Sequence, residues 1–405
     1  MSDNIDIIKC DTKDELTYDM EGGDVIAEGG YGCVLNPSLS CKGKESTNEK
    51  YITKIQVLNE TSEREIEFSR MVRKIPRYSK HFAPIHSTCE HKPSVVKMIS
   101  NKYNCSFLSE HPNEKFAISK IKYIKGDMFK THIYNQMESA DIFYYIIHSY
   151  VYLLFSIYIL DKYGIIHYDL KGENIMYDMK HKKPIIIDFG LSIKKDDIKP
   201  DFKNTDYTNR LKHNFYTYAP DYSLWCLDIH YLSFIINNPD QNVKNYIESM
   251  VDTYIENNKA IKNASNDFVE KYKELSMKQL HKYEKMGVKK SVEYLYKYCN
   301  TWDNYSISIM FLRMVDLFDL KEHRFLVFLK MLLRNNIHPD PEKRISIKKT
   351  HDYIISYLKT NTQNVDIFQP IIDNIETNKK SIKDNLNKQI NRDKALSQKM
   401  SLFKK

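Results

Sequence analysis

The chain has 405 residues, 42% hydrophobic and 12% aromatic, which supplies a sizeable core and excludes disorder throughout. Its formal charge of +8 is mild and unevenly placed: from Glu376 to Lys405 nine Lys or Arg stand against three Asp or Glu, so the rest is close to neutral. Seven cysteines without a CxxC pair predict reduced thiols in a cytosol-like compartment and no disulfide framework. The first residues, MSDNIDIIKCDTKDE, are acidic and lack the basic-then-apolar pattern of a signal peptide, so a cytoplasmic location is expected.

In chain order, glycine gives the first signal. There are eleven, and five fall between Gly22 and Gly32. Around them Ile26, Ala27, Glu28, Gly29, Gly30, Tyr31, Gly32, Cys33 and Val34 predict a strand, a turn and a strand, with backbone amides close enough to hold phosphate oxygens because no Cβ intervenes. Tyr51 to Ile55 reads as a strand carrying one inward lysine, Lys54. Ser62 to Ile75 is a helix offering Glu63, Glu65 and Glu67. Periodicity selects Glu65, because Ile66, Phe68 and Val72 then share the core side, whereas Glu67 would bring Arg70 and Lys74 there. That choice leaves Ser69 at a position expected to be apolar.

Residues 76–115 are polar and gather His81, His86, Cys89, His91, Cys105 and His111, at spacings that match no standard zinc site. A strand over 116–128 follows. The apolar run from Ile142 to Leu160 is long enough to suggest a membrane span, yet it leads straight into a polar loop, so a buried helix is predicted. Beyond it lie a β-branched strand at Ile185 to Ile187, a charged helical stretch over 222–300, an amphipathic helix from Glu322 to Asn335 and a helix from Ile347 to Leu358.

The decisive stretch is GIIHYDLKGENIMYDMKHKKPIIIDFG, Gly164 to Gly190. It holds HxDLKxxN and, fourteen residues after Asn174, Asp188-Phe189-Gly190. This pair of motifs resembles the catalytic and metal-binding loops of a eukaryotic-type protein kinase, and DLKxxN is the serine/threonine form. The resemblance covers about 24–358 and implies an α+β, bilobal protein-kinase-like fold. On that reading 1–23 is an extension, 24–124 a small β-rich lobe with one main helix, and 125–358 a large mainly helical lobe with a helical insertion at 222–300. A basic tail spans 359–405.

It implies the following roles. Asp169 accepts the proton of the attacking hydroxyl, Lys171 steadies the transferring group, and Asn174 and Asp188 hold magnesium. Lys54, held by Glu65, anchors the ATP phosphates under the glycine-rich loop. Ile121 flanks adenine, Lys122 to Ile124 offer it backbone hydrogen bonds, and Asp127 reaches the ribose. Partners are then protein substrates with Ser or Thr hydroxyls, with no nucleic-acid motif and no membrane span. The tail reads as a solvated, partly helical end whose charge suits acidic partners. The Ile, Lys, Asn and Tyr bias is similar to kinases of large nucleocytoplasmic DNA viruses, which implies host cytoplasm or virion.

Some positions depart from the family's pattern. Ala27 replaces the first glycine. Tyr168 replaces the usual arginine that pairs with a phosphate, so activity is expected not to depend on phosphorylation of the 191–218 loop, although Thr205, Tyr207 and Thr208 lie there. Asn214 falls near the place of a threonine that faces the catalytic aspartate. Asp221 replaces a glutamate whose expected partner is Arg344. The aspartate that holds the catalytic loop is Asp228 or Asp303, with the better pattern at Asp303. A pseudokinase scaffold and a small-molecule kinase are the alternatives. Every phosphate and metal ligand is in place against the first, and the DLKxEN wording stands against the second.

Overall fold

The computed structural model describes residues 7–8, 24–29, 32–36, 38–39, 50–91, 105–136, 138–318, 320, 322–361 and 365–402. They form two compact units. The first comprises the described residues up to Gly126, together with Met176–Ser192 and the chain from Lys394; the second comprises Asp127–Ile175 and Ile193–Asp393.

The first unit is built on β1 (Ile7–Ile8), β2 (Asp24–Gly29), β3 (Gly32–Asn36), β4 (Tyr51–Val57), α1 (Glu60–Arg73), β5 (Ile85–His91), α2 (Ser106–Glu110) and β6 (Phe116–Lys122). Its six-stranded sheet runs β1-β5-β6-β4-β3-β2, antiparallel except where β1 pairs with β5. Alternation sorts β4: Thr53 and Ile55 are buried on the core side, and Lys54 stands on the other face, opposite Val34 of β3. Asn59 starts α1 with a reciprocal cap, its side chain accepting from Ser62 N while Ser62 Oγ accepts from Asn59 N. The buried Ser69 on α1 has a physical reason: its Oγ accepts from Ile85 N at 2.9 Å, satisfying the end of β5.

Cys33 on β3 and Cys105, just before α2, form a disulfide. On the paired strand Glu28 accepts hydrogen bonds from Ser106 Oγ and Phe107 N, so both strands of the glycine hairpin are tied to the start of α2. The expectation of reduced thiols fails here, and with it the thiol argument for a cytosol-like compartment. The two cysteines are 72 residues apart, so no local spacing announces their pairing.

The second unit begins with α3 (Phe129–Asn135), α4 (Ser139–Lys162) and β7 (Ile165–Ile166). The chain passes through β8 (Ile175–Asp178), paired with β9 (Lys183–Ile186), and returns with β10 (Ile193–Lys194), which pairs with β7. Then come α5 (Lys195–Ile198), α6 (Tyr207–Asn214), α7 (Leu227–Asn237), α8 (Ile247–Asn257), α9 (Lys259–Lys262), α10 (Asn266–Tyr296), α11 (Trp302–Val315), α12 (Arg324–Asn336), α13 (Ile347–Asn361) and α14 (Gln369–Leu402). By length and composition α4 alone among the described helices could cross a membrane; it packs on α11 and α13, and 61% of its most apolar window is buried.

Two boundaries differ from expectation. Leu227 to Ile236 of α7 are all buried, so the charged elaboration begins only after this core helix. The expected solvated tail is α14, whose Ile371, Ile375, Ile382, Leu386 and Ile390 are buried at helical spacing. Its Asp393 forms a buried ion pair with Lys130 and another with Arg313 at 3.0 Å. Five well-spaced apolar residues are enough to dock a helix whose overall composition is polar.

Candidate functional site

Each unit assembles its own cluster of predicted residues. In the first, Lys54 Nζ donates to Glu65 Oε2 at 2.8 Å, and Gln56 Nε2 donates to the same oxygen at 3.2 Å. Burial alone would depress the Lys54 ammonium, but the carboxylates of Asp188 and Glu65 more than offset it and hold the lysine charged. Burial, with the nearby Asp188 charge, pushes Glu65 up against the pull of Lys54. Two carboxyl groups therefore face one ammonium.

Asp188 sits in the left-handed region at φ 60°, a conformation Asp tolerates better than most residues, and its Oδ1 accepts from Gly190 N at 3.1 Å. Phe189 is buried edge-on against Phe82, with centroids 6.1 Å apart, which anchors the turn.

Around the glycine hairpin the outcome is mixed. Gly30 and Tyr31 lie outside the described residues. Gly32 takes φ +142°, and a Cβ there would stand 1.8 Å from the Ile55 carbonyl oxygen, so the close approach of β4 already demands glycine at this position. Ile26 is half exposed, the side chains of Glu28 and Cys33 are committed to α2, and Val34 shares a face with Lys54. Ala27 pairs with Val34 and Gly29 with Gly32. Ile124 is buried with Ala83 and Ile185, and Ile121, Met176 and Ile187 are partly buried against them. The backbone N–H of Tyr123, expected for adenine, donates instead to Lys50 O at 2.9 Å. Asp127 accepts from Asn135 Nδ2.

In the second unit Asp169 is held by donors on both carboxylate oxygens. Oδ2 accepts from Lys171 Nζ and Asn174 Nδ2, each at 3.0 Å, and Oδ1 accepts from the Tyr222 hydroxyl at 3.0 Å. Asn174 Nδ2 also reaches the Asp169 carbonyl at 2.8 Å, so its amide nitrogen faces inward and its Oδ1 has no hydrogen-bond partner among the described residues. Burial, followed by the Asp169 charge, raises the Tyr222 phenol far above its ordinary range, keeping it a donor.

The loop backbone is held from behind. Asp303 accepts from His167 N at 2.8 Å and from Tyr168 N at 2.9 Å, while Trp225 Nε1 donates to the Tyr168 carbonyl at 2.7 Å. Both stretches that competed for this role thus contribute. Tyr168 is buried at φ 69° and packs among Trp225, Phe215 and Trp302, so aromatic packing occupies the place of the expected charge.

Three expectations are corrected. Arg344 pairs with Asp228, at 2.7 Å and fully buried, rather than with Asp221. Asn214 donates to Arg210 O within its own helix, and the residue facing Asp169 is Tyr222. Tyr207 is buried, with its hydroxyl on Ile198 O, which removes it as a phosphorylation target.

The network around Lys130 also escaped notice. Its side chain lies where a Cβ on Gly172 would stand 3.2 Å from it, and burial depresses its ammonium against the pull of Asp393. α14 therefore reaches the back of the Asp169 loop through Asp393 and Lys130. Only the helical spacing of isoleucines in the tail could have signalled it.

No model of a protein family and no curated protein sequence matches the chain. Among solved structures it is similar to a fragment of C. elegans twitchin kinase, described as an autoregulated protein kinase with immunoglobulin domains, at 13% identity and a TM-score of 0.40. The match covers 82% of this chain and 56% of that one. A likeness this slight decides nothing about chemistry.

Proposed function

We propose that the chain is an ATP- and magnesium-dependent protein kinase that transfers the γ-phosphoryl group of ATP to serine or threonine hydroxyls. The observation that carries the reading is Asp169, a carboxylate held on both oxygens by Lys171, Asn174 and Tyr222 on a loop whose backbone is itself clamped. Such a group orients a hydroxyl and accepts its proton as the new O–P bond forms and the bond from the γ-phosphorus to the ADP oxygen breaks.

Lys54, kept charged by Glu65 and Asp188, supplies a fixed cation for phosphate oxygens. The partly buried apolar side chains of Ile121, Met176 and Ile187 are suited to a purine face. The residues fit magnesium on two observations: the Glu65 and Asp188 carboxyl groups face the one Lys54 ammonium, and the Asn174 Oδ1 has no hydrogen-bond partner among the described residues. The resemblance proposes Asp188 and Asn174 as its ligands. Magnesium, when bound, neutralises charge on the β and γ phosphates. Lys171, at 3.0 Å from Asp169, is placed to stabilise the charge of the group in transfer.

Replacing Asp169 with Asn tests the reading. Turnover on mixed protein substrates, followed with radiolabelled ATP and phosphoamino-acid analysis, is expected to fall by roughly 10²- to 10⁴-fold while nucleotide binding persists. Undiminished phosphoserine and phosphothreonine from that variant would remove Asp169 from the chemistry.

A further inference from the structure

The helical elaboration after α7 plays no part in the proposed chemistry, and it contains a concavity of its own. α10 does not run straight: Gly287 takes φ 75°, and the chain after it folds back so that Ser291 Oγ donates to the Tyr283 carbonyl at 2.7 Å. Glycine adopts this conformation without the penalty other residues incur. The reversal helps to form a cavity of about 1030 Å³ that lies wholly in the second unit. Lys278, Lys282 and Lys285 line it from before the break, Lys290 from after it, and Lys244 from the short turn preceding α8.

These lysines differ from others on the same helix in lacking a close ion pair. Near the start of the same helix Lys271 pairs with Glu274 at 2.8 Å and Lys273 pairs with Asp252. Among the described residues none of the five lysines around the cavity forms an ion pair within 4 Å, although Lys278 feels the charge of Glu274. Lys282 is fixed, donating to the Tyr294 hydroxyl at 3.1 Å and lying 4.5 Å from that ring's centroid. Two carboxylates also line the cavity, and Asp340 already accepts from Glu342 N and the Tyr294 hydroxyl. The buried Gln279 amide nitrogen, near the hydroxyls of Tyr283 and Tyr294, meets hydrogen-bond geometry with neither. Five ammonium groups against two carboxylates leave the lining an excess of positive charge, which an anion would neutralise.

We propose that this cavity binds a small polyphosphorylated anion, of the inositol-polyphosphate or inorganic-polyphosphate class. Its volume is of the order of small-molecule sites. Lysine ammoniums act as point charges that suit clustered phosphates without imposing a planar geometry. The lining has no Phe, Tyr or Trp to stack a base, its one ring being the imidazole of His281, and no arginine to read a base edge, which favours a small anion over nucleic acid.

Calorimetric titration of the full chain with inorganic tripolyphosphate, and separately with inositol hexakisphosphate, tests this and distinguishes the two sources by affinity. Saturable one-to-one binding is expected, surviving Lys54→Met and weakening at least tenfold in Lys278→Glu/Lys285→Glu. Both lysines are exposed, so the variant is expected to keep the parent melting temperature, and Lys278→Ala/Lys285→Ala serves as a milder second variant. Absence of binding, or equal binding by parent and lysine variants, overturns the proposal. Loss with Lys54→Met alone places the anion at the nucleotide site, overturning this inference while leaving the kinase reading intact. Tighter binding of single-stranded DNA through the same lysines overturns it in favour of nucleic acid.

Discussion

Lys54 and Lys171 are both largely buried lysines beside a carboxylate, at 2.8 and 3.0 Å, yet their surroundings do opposite things. In the first unit two acids, Glu65 and Asp188, hold one ammonium, and the result is a fixed cation. In the second, Lys171, Asn174 and Tyr222 hold one acid, and the result is a fixed anion at Asp169. The difference teaches that the same residue pair can serve either partner, depending on which one the neighbours outnumber. Phosphoryl transfer needs both products: a cation for the phosphates and an anion for the hydroxyl.

The largest expected effects break this comparison directly. On the proposed kinase reading, Lys54→Met is expected to raise the KM for ATP at least tenfold as well as to lower turnover, because that reading gives Lys54 a phosphate contact and its loss leaves two carboxyl groups facing each other. Lys171→Met is expected to leave ATP affinity in place and lower kcat by about 10²-fold, the scale for losing one donor to a transition-state charge. Steady-state kinetics in both substrates separates the two; identical profiles would show that the lysines do one job.

Next in size is the contrast between ion pairs. Arg344 and Asp228 have side chains about 1% exposed, whereas Lys54 and Glu65 are 16% and 5% exposed. Removing one member of the fully buried pair, as in Arg344→Met, is expected to cost about 3 to 5 kcal/mol in chemical denaturation. Arg344→Met/Asp228→Leu should recover most of it, because no lone charge remains. Glu65→Gln should cost less stability and more activity. A stable Arg344→Met protein would show that the pair does not hold the second unit together.

A pH dependence probes the second unit, which buries a histidine beneath its acid-holding residue. His230 Nε2 donates to the Tyr222 carbonyl at 3.2 Å, and burial pushes its pKa down to about 4. A histidine that stays neutral when folded adds stability above its unfolded value of about 6.5, and that stability is lost as pH falls toward 4. Unfolding free energy should therefore drop by about 3 kcal/mol between pH 7 and 4 from this group alone. His230→Phe is expected to flatten that part of the curve, and an unchanged slope would assign it to other groups.

The contacts that depend on local pattern were legible. HxDLKxxN and the second aspartate are contiguous words, and Glu65 followed from helical periodicity. Asp303 followed from the pattern of the helix it begins. What escaped were partnerships between distant segments with no pattern of their own. Asp228 looked like a rival to Asp303 and proved to be the partner of Arg344, 116 residues away. Cys33 and Cys105 meet only because α2 packs on β3. The tail read as solvated because polar residues outnumber its isoleucines, whereas docking depends on where those isoleucines fall on the helix. Asn214 was matched by counting along a loop, and counting fails wherever the loop length departs from the family's.

Tyr222 supplies the smallest and most specific test of the comparison. If Asp169 is the held partner, removing one of its holders should weaken the acid's role without touching the cation cluster of the other unit. Tyr222→Phe keeps the ring, with its edge contact to Trp225 at 5.1 Å, and deletes only the hydroxyl that donates to Asp169 Oδ1. A hydrogen bond to a charged group is worth about 1.5 to 3 kcal/mol, so kcat should fall roughly ten- to a hundredfold with the KM for ATP unchanged. A merely structural role for Tyr222 would lower the yield of folded protein and leave kcat per folded molecule where it is, so turnover normalised to the folded fraction decides between them.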